Sequence, residues 1–356
     1  MRIVVDVSPL SHPRTGIGNY IRGSIGGMVA TAAGRHEVVA FAPTSLRGPA
    51  AIRAALDGIT AARRLIPLPA SHALRTAWSK AGWPPVEWLA GSLDAFVFSE
   101  WMYPAQRRGL RATVFHDLVP LHHPEFCTPR TVSMHTRKAR NAAATCDVVF
   151  ANSAFTAADL GETLGIEPGR IVHAPPGLQP GLGPDGERVD LGGPAILGLG
   201  TIEPRKNLAR LVEAWRPLAD ELGLVLAGGE GWGDRPDLAD ARIRRLGYVP
   251  DTEIGKLYRG AAVLVYPSLY EGFGMPIVEA MACGTPVVAS DHPSLDEACG
   301  DAAVRVDPLD AEAIGAGIRD AVARRDELVP LGLAHAERFS WERTGRAMLA
   351  ALEERA

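Results

Sequence analysis

Two carboxylates, Glu271 and Glu279, bracket the start of the segment YEGFGMPIVEAMACG, which runs from Tyr270 to Gly284. Gly272 and Gly274 read as a turn, and MPIVEAMACG reads as a helix with Pro276 in its first turn and Gly284 at its end. A helix start carries unpaired backbone N–H groups, here expected around Gly274, Met275 and Ile277, and these suit a phosphate. Carboxylates repel a phosphate, so the pair is expected to serve another part of the same ligand. Sugar hydroxyls fit, because an ionised carboxylate accepts hydrogen bonds from two neighbouring OH groups. The plain alternative is that Glu271 caps the helix and Glu279 is a solvated residue favoured by the helix dipole. The spacing alone leaves both open.

Other polar residues fall at comparable places. In LGLGTIEPRKNLARLVEAW (197–215), Arg205 and Lys206 sit in a loop between a strand and a helix. There they would face the same phosphates as the amides, or else form a salt-bridged surface pair. His116 and Asp117 close the strand-like ATVFHD, and His116 is expected either to hydrogen-bond or polarise a ligand or to be a satisfied core histidine. His122 and His123 are adjacent and point apart, so no metal site is expected from the three histidines. Gly16 and Gly18, in SHPRTGIGNYIRG (11–23), form a glycine turn opening a helix, without the dinucleotide fingerprint. GGEGWG (228–233) has that spacing by letter but no helix pattern after it, and reads as a loop.

The elements that must position these residues are short apolar, β-branched runs. They fall at 3–7, 37–42, 95–99, 113–117 and 148–153, then at 195–200, 224–228, 262–268, 286–290 and 303–307. Such runs suit parallel strands buried on both faces. Helical patterns such as NLARLVEAWRPLADEL (207–222) lie between them, which predicts doubly wound α/β sheets. The Pro- and Gly-rich stretch 174–194 predicts an interdomain linker. Ligands of open α/β sheets bind outside the carboxyl ends of the strands. Two such domains facing one another would make a cleft there.

At 356 residues the chain suits two domains of roughly 150 to 180 residues. A net charge of −4 argues against nucleic acid as the main partner. Cys127, Cys146, Cys283 and Cys299 show no pairing or metal spacing, and reduced thiols in a cytosolic protein are expected. The N-terminal apolar run is too short for a signal peptide, and none is long enough to span a bilayer.

The chain resembles the GT-B fold retaining glycosyltransferases of family GT4, the group 1 glycosyltransferases. The resemblance rests on GIGNY, FHD, FANSAFT (150–156), GTIEPRKN, LGYVPDTEIGKLY (246–258) and EGFGMPIVE in that order. It implies two Rossmann-like domains facing a central cleft. The acceptor-binding domain would be 1–175 with a crossing helix at 340–356. The linker would be 176–194 and the donor-binding domain 195–339. The implied reaction moves a sugar from a nucleotide-diphosphate sugar, GDP-mannose or a UDP-sugar, to an acceptor hydroxyl with retention and without a metal or other cofactor. By the resemblance, Arg205 and Lys206 hold the diphosphate, and Glu271 with the amides of Gly272, Phe273, Gly274 and Met275 and with Pro276 holds the sugar. Glu279 takes the ribose diol, Val249 packs beside the base, and His116 lies near the sugar. Gly16 and Gly18 form a loop against the phosphates. Many members carry an arginine where this chain has Thr201, which puts the Arg205 assignment in question. GTxEPRKN with HDLxPLxxPEF resembles a mannosyltransferase-like subgroup acting on polysaccharides or lipid-linked sugars. The competing readings are a GT-B sugar-nucleotide epimerase and a non-catalytic relative. The expected acceptor is a carbohydrate, a lipid-linked sugar or a small molecule. Residues 51–83 carry five Lys/Arg against one Asp, and read either as a basic amphipathic surface for the inner membrane leaflet or as a solvated helix face.

Overall fold

A computed structural model describes residues 1–12, 16–99, 103–231, 238 and 240–356. Pro13 to Thr15 of the glycine segment, and Trp232 and Gly233 of GGEGWG, lie outside the described residues. The chain forms two compact units, one of Met1–Gly177 with Phe339–Ala356 and one of Leu178–Arg338.

The first unit is built on a parallel sheet. Its strands are β1 (Arg2–Asp6), β2 (Glu37–Thr44), β3 (Ala62–Pro67), β4 (Ala95–Phe98), β5 (Leu110–Phe115), β6 (Val148–Ala151) and β7 (Ile171–His173), in the order β3-β2-β1-β4-β5-β6-β7. The second unit holds β8 (Ala195–Leu199), β9 (Gly223–Ala227), β10 (Ile243–Gly247), β11 (Val263–Tyr266), β12 (Val287–Ser290) and β13 (Val304–Val306), in the order β10-β9-β8-β11-β12-β13. All pairs are parallel, and helices make the returns between most successive strands. Helices on both faces bury the central strands, and their residues read as unbroken apolar runs for that reason.

Three strands escape the apolar-run pattern, and all three are edges. β3 and β7 flank the first sheet and β10 flanks the second. β3 exposes Arg63 and Arg64, and β10 exposes Arg244 and Arg245, because an edge strand has less to bury. The expected helix 207–222 stops earlier, running from Leu208 to Trp215 before a 3-10 turn that contains Pro217. Proline cannot donate into the helical ladder, which accounts for the early end.

Two expectations about organisation change. Residues 178–194 cluster with the second unit instead of standing apart as a linker. Val189 N–H donates to Lys256 O at 3.1 Å, and Arg259 donates to Gly183 O at 2.9 Å and Glu187 O at 2.8 Å. The basic segment 51–83 is no single amphipathic face. It is divided among a helix (Gly48–Ala55), edge strand β3 and a helix (Ser71–Ala81). Arg63 donates to Leu56 O and Ile59 O, Arg64 to Leu89 O, and Arg75 to Pro43 O, so these cations tie backbone segments together. Among the described residues no helix is long and apolar enough to cross a membrane. No disulfide joins the four cysteines.

The C-terminal helix Trp341–Glu353 completes the first unit by packing on helix Gly16–Thr31 through glycines. A Cβ on Gly27 would lie 1.8 Å from Trp341 O, and one on Gly345 would lie 2.1 Å from the Gly27 carbonyl carbon. The backbones meet where side chains cannot fit. Gly27→Val is therefore expected to cost about 3 kcal/mol, the upper part of the usual overpacking range. Urea unfolding would measure it, and a loss below about 1 kcal/mol would show that the helices separate cheaply.

Candidate active site

In the second unit, the strand order turns at β8, which pairs with β9 on one side and β11 on the other. The segments leaving these neighbouring strands run in opposite directions across the sheet, and an open α/β fold leaves a crevice at such a point. The residues of 200–207 leave β8 there, and those of 267–276 leave β11.

Local backbone geometry seats the cations. Gly200 has φ of 144°, and a Cβ there would lie 3.2 Å from Lys206 Cε, so its absence lets the lysine stem pass over the end of β8. Asn207 sits in the left-handed region at φ of 56°, a conformation that asparagine tolerates. Its Nδ2 donates to Pro267 O at 3.1 Å and Pro308 O at 2.7 Å, and Leu269 N–H donates to Arg205 O at 2.9 Å. The loops after β8, β11 and β13 are thereby stitched together.

Within this frame Glu271 gathers both cations. Lys206 Nζ lies 2.5 Å from Glu271 Oε1 and donates to Tyr266 OH at 2.7 Å. Arg205 Nη1 lies 2.7 Å from Glu271 Oε2, and Arg205 Nη2 lies 2.7 Å from Glu203 Oε1. Tyr266 OH donates to Glu271 Oε1 at 2.9 Å, and Ser294 Oγ accepts from Glu271 N–H at 3.1 Å. Burial works against an ionised Glu271, but the charges and hydrogen bonds of Arg205 and Lys206 outweigh it and hold the carboxyl at about 2. Burial pushes the Lys206 ammonium down, and the Glu271 charge opposes that push. The cluster is a partly buried ion triad, neither a helix cap nor a loose surface pair. Of the roughly four acceptor positions on a carboxylate, three on Glu271 are occupied, leaving about one for a ligand hydroxyl.

Glu279 is also buried, not solvated, on helix Met275–Ala282. Tyr258 OH donates to its Oε2 at 2.8 Å. Burial raises its carboxyl to about 7, with the Tyr258 hydrogen bond opposing and the Asp251 charge assisting. Gly274, the N-cap of this helix, has φ of 96°, and a Cβ there would meet Leu295 Cδ2 at 2.7 Å. The expected row of helix-start amides is shorter than supposed. Pro276 has none, and Ile277 N–H already donates to Gly274 O at 3.0 Å. Gly274 and Met275 remain as donors, with Gly272 and Phe273 buried just before them.

Residues 185–332 match the family model for glycosyl transferases group 1. That segment is similar to the group 1 glycosyl transferases. A 160-residue stretch is 44% identical to the O-antigen chain mannosyltransferase B of Escherichia coli, covering 41% of this chain and 42% of that protein. Over 230 residues the chain is 33% identical to the D-inositol 3-phosphate glycosyltransferase of Segniliparus rotundus, covering 57% of this chain and 51% of that protein. The chain thus spans about half the length, or less, of these curated relatives. Among solved structures, sucrose-phosphate synthase from Thermosynechococcus elongatus superposes with a TM-score of 0.72 at 20% identity, over 99% of this chain and 98% of that one. The fold is GT-B, with two Rossmann-like domains.

Residues 185–332 contain Thr201, Arg205, Lys206, Val249, Glu271, Gly272, Phe273, Gly274, Met275, Pro276 and Glu279, whereas Gly16 and Gly18 lie outside them. Thr201 follows β8 and is half-buried, outside the ion triad. Val249 is half-buried in the turn between β10 and helix Asp251–Gly260. Tyr258, Tyr266, Glu203 and Ser294 also serve the site and were not anticipated. Tyr266 ends an otherwise aliphatic buried strand, and Glu203 stands two residues from Arg205, so both carried a signal. Ser294 lies in a 3-10 turn (Pro293–Leu295) beyond β12, and only the fold brings it to Glu271.

Gly16, Gly18 and His116 belong to the first unit. Gly16 and Gly18 lie in the opening turn of helix Gly16–Thr31, not in a loop, and Gly18 is buried. His116 follows β5 and packs edge-on against Tyr20, with 5.0 Å between centroids. Burial, with the nearby Lys138 and His135, lowers its pKa to about 3, so it is neutral. Its Nε2 is buried and has no hydrogen-bond partner among the described residues. His122 pairs with Asp159 at 2.7 Å and His123 with Glu125 at 3.0 Å. Among the described residues no three His, Cys, Asp or Glu form a metal-binding group.

Proposed function

We propose that this protein transfers a hexose from a nucleotide-diphosphate sugar to an acceptor hydroxyl, with retention at the anomeric carbon. Mannose from GDP-mannose is the first donor to test, since a relative of the matched segment is a mannosyltransferase. The observation that carries the reading is the Arg205–Glu271–Lys206 triad beside the start of helix Met275–Ala282, inside the segment similar to group 1 glycosyl transferases. When the bond between sugar and diphosphate breaks, negative charge grows on the leaving group. Lys206, Arg205 and the Gly274 and Met275 amides are donors already in place for it, so little reorganisation is needed at the moment of reaction. Glu271 keeps the two cations from repelling one another and offers its remaining acceptor position to a sugar hydroxyl. Glu279 accepts from the ribose diol. Neutral His116 serves as a hydrogen-bonding group, because a pKa of about 3 leaves it no proton to give as an acid at neutral pH.

Thermal melting against a panel of nucleotide-diphosphate sugars and free nucleotides tests this directly. A ligand at 100 times its Kd adds about 2.7 kcal/mol, a readily seen shift. Selective stabilisation by one donor, followed by nucleotide release on adding an acceptor, supports transfer. Conversion of the donor to an isomeric sugar nucleotide without acceptor would mean epimerisation. Silence across the panel would sink the donor site.

Glu279→Gln separates stability from binding. The folded carboxyl titrates near 7 against an ordinary 4.5, so its ionisation works against folding. No penalty exists below about pH 4.5, and it grows until the pH passes about 7. The amide avoids it while still accepting from Tyr258. Glu279→Gln is expected to gain about 1–3 kcal/mol at pH 8 and nothing at pH 4. Nucleotide binding should weaken about tenfold or more through loss of a charged acceptor. Unfolding at both pH values with nucleotide titration checks this, and a destabilised variant at pH 8 would contradict the assigned titration.

A further inference from the structure

Helices Ser71–Ala81 and Pro129–Thr145 of the first unit enclose a cavity of about 240 Å³. The residues facing it follow helical spacing on both sides: 72, 76, 79 and 80 from one helix, and 130, 133, 134 and 137 from the other. Facing stripes of packed helices are ordinarily apolar. Here they carry His72, Lys80, Arg130 and Arg137, with Ser79 between them and Tyr103 closing one side.

Among the described residues no carboxylate neutralises the cationic groups: none pairs with Lys80, Arg130 or Arg137, and none lines the cavity. Arg130 Nη2 lies 3.1 Å from His72 Nε2, and Arg137 donates to Ser133 Oγ at 3.3 Å. Arg130 also stands in the first turn of its helix, where the dipole disfavours a cation unless an anion is near. Ser79 is 8% exposed, and its Oγ has no hydrogen-bond partner among the described residues although it lines the cavity. Tyr103 OH, donating to Ser79 O at 2.7 Å, braces the wall behind it. β3 leads into the first helix at its carboxyl end, and β5 leads through the short 119–126 segment into the second. Their opening turns therefore lie on the side where open α/β sheets bind ligands.

We propose that this cavity binds a phosphate monoester, held by Lys80, Arg130 and Arg137 and hydrogen-bonded by Ser79, and that the group belongs to the acceptor. Three cations match the charge of −1.5 to −2 on a monoester near neutral pH better than the single charge of a carboxylate. Arginines add paired N–H donors that fit phosphate oxygens. Phosphate binding stands on this cavity alone. Its assignment to the acceptor rests on the sugar-transfer reading.

Calorimetric titration of the full chain with inorganic phosphate at low ionic strength tests the site. Arg137→Gln and Lys80→Gln should each weaken binding about tenfold or more, with unchanged melting temperature. The cavity-bound component should persist in Lys206→Met, which removes phosphate binding at the donor site of the other unit. No phosphate binding by the wild-type chain overturns the proposal, as does equal binding in Arg137→Gln and Lys80→Gln. Loss of binding in Lys206→Met would place the anion at the donor site instead, and so also overturns it. Two further arms separate the sources of the monoester. Glycerol 3-phosphate binding without vesicle binding marks a soluble acceptor, whereas flotation with phosphatidic acid vesicles, competed by inorganic phosphate, marks a lipid. Nucleoside diphosphate titration of the same variants keeps the readings apart. A chain that binds phosphate at this cavity but no nucleotide loses the transferase reading and keeps the anion site.

Discussion

Lys206→Ala is expected to lower turnover about 10²–10³-fold, the usual loss when one preorganised donor to a developing charge is removed. Lys206 is the cation with the least freedom to be replaced. Its stem lies over Gly200, its ammonium is shared by Glu271 and Tyr266, and burial keeps water from substituting for it. Arg205 cannot move into its place, being held by Glu203 and Glu271. The variant should remain folded, because Glu271 keeps Arg205 at 2.7 Å and the Tyr266 hydroxyl at 2.9 Å. Lys206→Arg should not restore the rate, since a planar fork does not fit where a point charge meets both a carboxylate and a phenol. Release of nucleoside diphosphate, measured beside nucleotide affinity and melting temperature, checks all three statements. A rate within about threefold of wild type, well short of the loss expected for a preorganised donor, would remove Lys206 from leaving-group stabilisation.

Glu271→Gln should do the most damage to stability, about 3–5 kcal/mol at pH 7. Removing the shared carboxylate leaves two cations beside one another in a partly buried site, and Lys206, already depressed by burial, loses the group that raises it. The effect depends on pH in a defined direction. The folded carboxyl titrates at about 2 against an ordinary 4.5, so its ionisation favours folding. That stabilisation, about 3 kcal/mol, is complete above about pH 5 and is lost as the pH falls through 2. The gap between wild type and Glu271→Gln should therefore narrow on acidification. Denaturant unfolding at pH 7 and pH 3 would show it, and a gap that widens at pH 3 would contradict the triad. Glu279 behaves oppositely in the same unit, since its carboxyl is buried without a cation. Two glutamates eight positions apart thus titrate about five units apart, at about 2 and about 7.

Much of the frame was legible in the residues. The central strands read directly, because burial on both faces demands continuous apolar runs, and helices between them imply parallel pairing. The glycine turn, Pro276 and Gly284 marked the start and end of helix Met275–Ala282, since backbone geometry restricts what those positions accept. Motif order also placed Arg205, Lys206, Glu271 and Glu279 together in one unit. The edge strands β3, β7 and β10 were not legible. An edge strand buries less, arginines at the exposed positions of β3 and β10 erase the pattern, and β7 is only three residues long.

Where strands end and helices start follows largely from local sequence, because those positions are written in neighbouring residue types. How the site residues are charged and paired is a tertiary matter. Glu271 and Glu279 look alike in the chain, yet one is ionised by cations arriving from the β8 loop and the other is held near neutrality by burial against Tyr258. The cationic cavity is likewise written as two unremarkable helical stripes, and becomes a site only when the fold lays helix Ser71–Ala81 beside helix Pro129–Thr145. Charge and desolvation act through space over a few ångströms, and separations of tens of residues along the chain carry no record of them.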